Sequence, residues 1–240
     1  RPIYGQNSTG NEQKRGNTRK NEGDSVAVIG INGPMVRSGV SVEGTDEIAG
    51  ELKKAFQDNT ISAIVMPLNS PGGTYASLIP LKQAFQKKNK PVVAWVDDQA
   101  TSAAYYIAAF ADEIYSSDQF NDVGSIGVMA TFIDDQEKKK KDGLKVHSVY
   151  PPESPEKNST LKKMKKGDFS ELRETLSQIA RHFQDHVTKQ RPGVKEDVLK
   201  GKTYNSIDGP LKGLTDGIKN FEEVIQRAYA LSIIKEIQPK

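Results

Sequence analysis

The chain has no cysteine among its 240 residues. Disulfides, thiolate nucleophiles and cysteine-based zinc sites are thereby excluded, while the compartment stays open. Histidine is scarce, with three in all. His147 lies in a segment of strand character with no partner motif. His182 and His186 are four residues apart on a helical stretch, a spacing that suits a metal, but no carboxylate stands at ligand spacing and Arg181 is adjacent. They are expected to face solvent or to be satisfied locally, and neither a metal nor a cofactor is expected. A Ser-His-Asp triad has no convincing histidine to use. Nor is there a run of roughly 18–20 apolar residues, as a membrane span requires; the best, residues 103–111, is about half that. No signal peptide is visible and the first residue is Arg1, so membrane association is expected only through a missing N-terminal segment. Charge of one sign is also lacking. The balance is 34 basic against 31 acidic side chains, net +3, too even to argue for a nucleic-acid partner.

What is present is enough apolar material for a core, 35% of residues, under a surface made very polar by 27% charged residues. Residues 1–24 carry almost nothing large and apolar beyond Ile3 and Tyr4 and read as a flexible polar arm. Residues 25–240 read as one folded domain. Strands are expected at 25–35 (SVAVIGINGPM), 61–69 (ISAIVMPLN) and 91–97 (PVVAWVD), each a continuous apolar run rich in Val and Ile. Helices are expected at 45–56, with Thr45 as N-cap, at 75–88, with Pro80 in the first turns or kinking it, and at 102–111. Alternating strands and helices with uninterrupted apolar strands indicate a parallel sheet covered by helices. Further along, GSIGVMATF (124–132) and LKVHSVY (144–150) have strand character, separated by a charged helix. Residues 151–168 read as a loop, residues 169–191 as a long amphipathic helix with Phe169, Leu172, Leu176, Ile179, Ala180 and Phe183 on one stripe, and a last helix is expected near 220–231.

Chemistry is expected where strand 91–97 gives way to the helix after it. Ser102 stands there among Ala100, Ala103 and Ala104, small neighbours that let a substrate backbone come close. A serine without a histidine can be activated by a lysine that burial keeps neutral, because desolvation penalises the ammonium form. The turn LNSPGG supplies Gly72 and Gly73, whose backbone N–H groups can face a cleft that a side chain would block. Gly72 or Gly73, with the N–H of Ala103, would hold a tetrahedral oxyanion, worth roughly 3–4 kcal/mol per donor. No G-K-[ST] follows these glycines, so the turn is not a phosphate loop.

Four stretches, LNSPGGTYAS, DDQATSAAYYIAAFADEIY, GSIGV and GKTYNSIDGPLKGLTDGI, occur in the order found in the signal peptide peptidase A family of serine proteases, which includes phage head-maturation proteases. The chain resembles that family over about residues 25–230. NSPGG alone is also shared with the Clp protease proteolytic subunit. The resemblance implies a crotonase- and Clp-protease-like α/β fold of ββα units with a helical C-terminal part. It also implies a Ser/Lys dyad and a homo-oligomer, ring or dome, enclosing a chamber. The family's A-S-G-G-Y-Y stands here as TSAAYY, which places the nucleophile at Ser102 with two alanines in place of glycines. Ser125 of the intact GSIGV would hydrogen-bond the lysine amine. The family's S-G-x-x-K corresponds to SPEK here, which makes Lys157 the general base if Ser154 and Pro155 replace the S-G pair; Lys162 or Lys163 are the alternatives.

The expectation is thus a serine endopeptidase that cuts peptide bonds beside small or apolar side chains, acting on signal peptides or on phage scaffold and capsid proteins. Without a visible leader, the phage-like reading, in the cytoplasm of a bacterial host, is slightly favoured over a membrane-associated bacterial enzyme. The rivals are a catalytically inactive relative and a crotonase-like acyl-CoA enzyme in which Ser102 is incidental.

Overall fold

A computed structural model describes residues 25–39 and 42–237. The arm expected at 1–24 lies outside the described residues. The elements run, in chain order, β1 (Ser25–Val28), β2 (Ile31–Asn32), α1 (Thr45–Gln57), β3 (Ile61–Ser70), α2 (Tyr75–Phe85), β4 (Val92–Thr101), α3 (Ala103–Ala108), β5 (Glu113–Ser116), β6 (Asp122–Gly124), α4 (Gln136–Lys141), α5 (Ser159–Met164), α6 (Ser170–Gln190), β7 (Thr203–Asn205), α7 (Gly209–Lys212), β8 (Gly217–Ile218) and α8 (Phe221–Ile237). They form two compact units, one from residues up to Gly127 together with those from Phe183 onward, the other Val128–His182.

The first unit is built on a parallel sheet in the order β1-β3-β4-β5-β8, with β2 also on β3, β6 on β4, and β7 antiparallel on β6. The expected architecture, a parallel sheet with covering helices, is therefore observed. β3 sits inside the sheet because both its faces are apolar. Ile64, Met66 and Leu68 join a core shared with Leu52, Leu81 and Ile107 of α1, α2 and α3. The alternate residues Ala63 and Val65 pack with Val93, Tyr115 and, from α8, Val224 and Ala228. This period of two is why the run from Ala63 to Leu68 contains no polar interruption. Pro67 has no N–H for a ladder. Pairing of β1 with β3 ends at Val65 and pairing of β2 resumes at Leu68, so the expected strand over 25–35 is two short ones.

Several local expectations are corrected. Thr45 does not cap α1; Gly44 holds that position, and the buried Thr45 Oγ1 has no partner. Pro80, by contrast, does lie in the early turns of α2, as expected. β4 runs on to Thr101, four residues beyond the expected end at Asp97. It does so by changing neighbours, pairing with β5 through Val93–Val96 and with β6 through Gln99–Thr101, while the exposed Asp97 and Asp98 occupy the change-over. The helix expected at 102–111 is the shorter α3.

The strand expected at 124–132 is reduced to β6 of the first unit, which ends at Gly124, and in the second unit 144–150 is not a strand. A strand forms only where a neighbour completes its ladder. Here Leu144, Val146 and Val149 are exposed, Val149 at 92%. His147 accordingly lies outside any strand. The expected loop at 151–168 contains α5. No described helix is long and apolar enough to cross a membrane.

Candidate active site

β4 ends at Thr101 and α3 begins at Ala103, which leaves Ser102 alone at the junction with φ 53° and ψ −124°. A residue other than glycine at positive φ is costly, about 1–3 kcal/mol, and persists only where its surroundings fix it. Both peptide groups of Ser102 are fixed. Its N–H donates to the Gly124 carbonyl at 2.9 Å, and its carbonyl accepts the Tyr106 N–H at 3.0 Å. The hydroxyl makes no capping bond to α3, and the residue is only partly buried. The hydroxyl is thus not committed to the helix end, the arrangement a nucleophile requires.

The NSPGG turn closes on this junction. Gly72 has φ 90°, and a methyl group there would lie 2.7 Å from the Ala103 nitrogen and the Thr101 oxygen and 2.9 Å from Ser102 Cβ. Only glycine allows so close a backbone approach at that φ. A methyl on Gly73 would stand 2.0 Å from the Met35 carbonyl oxygen. The segment after β2 locks the turn from its other side, with the Met35 N–H donating to the Gly72 carbonyl at 2.8 Å and the Thr74 N–H to the Met35 carbonyl at 3.2 Å. The Gly72 N–H is engaged by Ser70 Oγ at 3.1 Å. No described backbone bond engages the N–H of Gly73 or of Ala103.

Ser125 follows the glycine that accepts the Ser102 N–H. It too has positive φ, 52°, and its N–H donates to the Lys202 carbonyl at 2.9 Å. Gly72, Ser102 and Ala103 therefore meet at one junction, and Ser125 is tied to it through Gly124. Sequence reasoning missed Ser70 and Met35, which hold the turn. The polar residue directly ahead of Pro-Gly-Gly was the available signal for Ser70, since Ser side chains bond backbone N–H groups two residues on.

The two tyrosines that follow Ser102, in α3, hold that helix in place. Tyr105 is fully buried, and its hydroxyl donates to the Leu214 carbonyl at 2.8 Å. Burial pushes its phenol well above the ordinary range. The Tyr106 phenol is pushed up to about 12, by burial first and then by Tyr75. Its ring stacks on His186 with centroids 3.9 Å apart, and His186 Nε2 lies 2.9 Å from the Tyr106 carbonyl. That carbonyl lies near the C-terminal end of α3, where acceptors lack helical partners. His186 thus serves packing and helix termination, while His182 is exposed. No described group of three or more His, Asp or Glu residues could hold a metal. Tyr105→Phe is expected to strand the Leu214 carbonyl in the core and to lower the unfolding free energy by about 1–3 kcal/mol, read from urea denaturation.

Lys157 belongs to the second unit, in a turn where its N–H donates to the Ser154 carbonyl at 3.3 Å. Its side chain is exposed there. The alternative lysines have partners of their own. Lys162 Nζ lies 3.8 Å from the centroid of the Tyr150 ring. Lys163 pairs with Glu171, and that hydrogen bond and charge hold its amine above the usual lysine range.

The chain is 30% identical over 224 residues to Protease 4 of Haemophilus influenzae, a match covering 87% of this chain and 35% of that protein. It is also 30% identical over 230 residues to a Brucella abortus protein named Na(+)/H(+) antiporter NhaA, covering 90% of this chain and 31% of that one. A third relative is the head-tail preconnector protein GP5 of Enterobacteria phage P21, 22% identical over 219 residues, covering 88% of this chain and 43% of that one. The chain thus spans about a third of the length of the first two. Among solved structures, a point mutant of the 1510-N membrane-bound stomatin-specific protease superposes with a TM-score of 0.57 at 14% identity, over 85% of this chain and 84% of that one, a likeness of fold. The profile of Peptidase family S49 matches residues 84–235, a span holding Ser102, Ser125 and Lys157. The chain belongs to peptidase family S49, the signal peptide peptidase A family that its four motifs resemble.

Proposed function

We propose that this protein is a serine endopeptidase with Ser102 as nucleophile and Lys157 as general base. The observation that carries the reading is the backbone of Ser102, held at positive φ between β4 and α3 with the Gly72 backbone against it. In this reading that conformation presents the Ser102 hydroxyl.

In the mechanism, the neutral amine of Lys157 takes the Ser102 proton as Oγ attacks the scissile carbonyl. The developing oxyanion accepts hydrogen bonds from the N–H groups of Gly73 and Ala103. Gly72, whose N–H is engaged elsewhere, allows the close approach. The lysine ammonium then protonates the leaving amine, and water resolves the acyl-enzyme. Ser125 would orient the amine. Lys163 fits the base poorly, because Glu171 favours its charged form. Lys157 is exposed in the single chain, so the reading requires a working form, assembled from several copies, that removes water from it.

The substrate is an extended peptide with a small or apolar side chain at the scissile bond, drawn from signal peptides or from phage scaffold and capsid proteins. The test is labelling with a fluorophosphonate, which reacts with an activated serine. The wild-type chain, assembled, is expected to label at one site and Ser102→Ala not at all. Absence of wild-type labelling, or unchanged labelling of the alanine variant, refutes the assignment; an acyl-CoA enzyme or an inactive relative gives the first of these results.

A further inference from the structure

We infer that Ser70 is a positioning residue for the oxyanion site, acting through Gly72; the inference rests on the peptidase reading above. Ser70 is the last residue of β3 and fully buried. Its backbone pairs with Ala100, after a register shift that takes β3 from Val96, opposite Leu68, to the end of β4. The strand that carries the nucleophile and the strand that carries the glycine turn are therefore joined within two residues of Ser102. Beyond Ser70 the ladder stops, because Pro71 has no N–H. The Ser70 hydroxyl takes over by accepting the Gly72 N–H at 3.1 Å.

That bond has two consequences. It removes Gly72 from the set of oxyanion donors. It also fixes the one peptide plane that would otherwise be free to rotate, since the Gly72 carbonyl is already held by the Met35 N–H at 2.8 Å. A flexible glycine pair would visit many orientations. The Gly73 N–H shares its peptide plane with the Gly72 carbonyl and is fixed with it, while the Ser70 bond anchors the plane before it, so that Gly72, the hinge between the two planes, stays against the Ala103 nitrogen. Oxyanion stabilisation depends on donors placed before the reaction begins, so the effect of Ser70 should fall on the transition state and spare substrate binding.

The experiment compares wild type, Ser70→Ala and Ser70→Cys as assembled proteins, in fluorophosphonate labelling rate and in hydrolysis of a fluorogenic peptide, with melting temperature measured alongside. Ser70→Ala is expected to lower kcat roughly 10- to 100-fold, less than outright deletion of a donor, with KM within about twofold and a parallel fall in labelling rate. Ser70→Cys preserves the volume with a weaker acceptor and should fall between the other two. If Ser70→Ala does not fold, the cysteine variant carries the comparison. Wild-type rates in either folded variant overturn the inference while leaving the peptidase reading intact. So does a loss that appears equally in KM and melting temperature but not in kcat, which would mark Ser70 as structural only. A wild-type protein that does not label removes the peptidase reading and this inference with it.

Discussion

Lys157→Ala is expected to reduce fluorophosphonate labelling and peptide hydrolysis by about 10²–10⁴-fold, the range for loss of a general base. Lys157→Arg should be equally impaired. A guanidinium keeps the positive charge and the long apolar stem but cannot be deprotonated at working pH. This variant therefore separates a proton acceptor from a charge that merely attracts substrate: a protein that needs only the charge would keep most of its activity. Lys162→Ala and Lys163→Ala should stay within a few-fold of wild type, because the one amine lies over the Tyr150 ring and the other pairs with Glu171. Loss of labelling in Lys162→Ala with retention in Lys157→Ala would move the base to Lys162 and leave the nucleophile assignment standing. Melting temperature is the control, since Lys157 is exposed in the single chain and its truncation removes no core packing.

Gly72→Ala is expected to be strongly damaging to the site. Glycine at φ 90° tolerates what alanine does not, and the added carbon would lie 2.7 Å from two backbone atoms of the β4–α3 junction. No flexible side chain can yield there; the turn or the Thr101–Ala103 backbone must move. The expected result is labelling reduced by about 10²-fold or more, on the scale of a lost oxyanion donor, together with roughly 2–3 kcal/mol of destabilisation from strain and overpacking. Gly50→Ala provides the contrast. Gly50 lies inside α1, with open space where its side chain would go, and alanine there should stabilise the protein by up to about 1 kcal/mol with labelling unchanged. If the two substitutions behave alike in labelling, the Gly72 turn has no part in the chemistry.

The amino-acid sequence determined the parallel sheet, because ISAIVMPLN and PVVAWV are apolar at every position that must face a helix layer. It determined the strand–helix junction at Ser102 and the glycine pair at 72 and 73, because small residues and Pro-Gly-Gly have few other uses in such positions. It also determined the family, through motifs whose order is more specific than any one of them. Tertiary structure alone decided the rest. β4 continues past two aspartates because β6 supplies a second ladder, a long-range pairing that no local propensity encodes. LKVHSVY has strand composition but no strand, because no neighbouring backbone completes it among the described residues. The Gly72 N–H is taken by Ser70 two residues before it, whereas the Gly72 carbonyl is held by Met35 from a distant segment of the chain. Local sequence sets which conformations are cheap, whereas which distant segments meet a turn, as Met35 meets the glycine pair, is decided by the packing of the whole sheet.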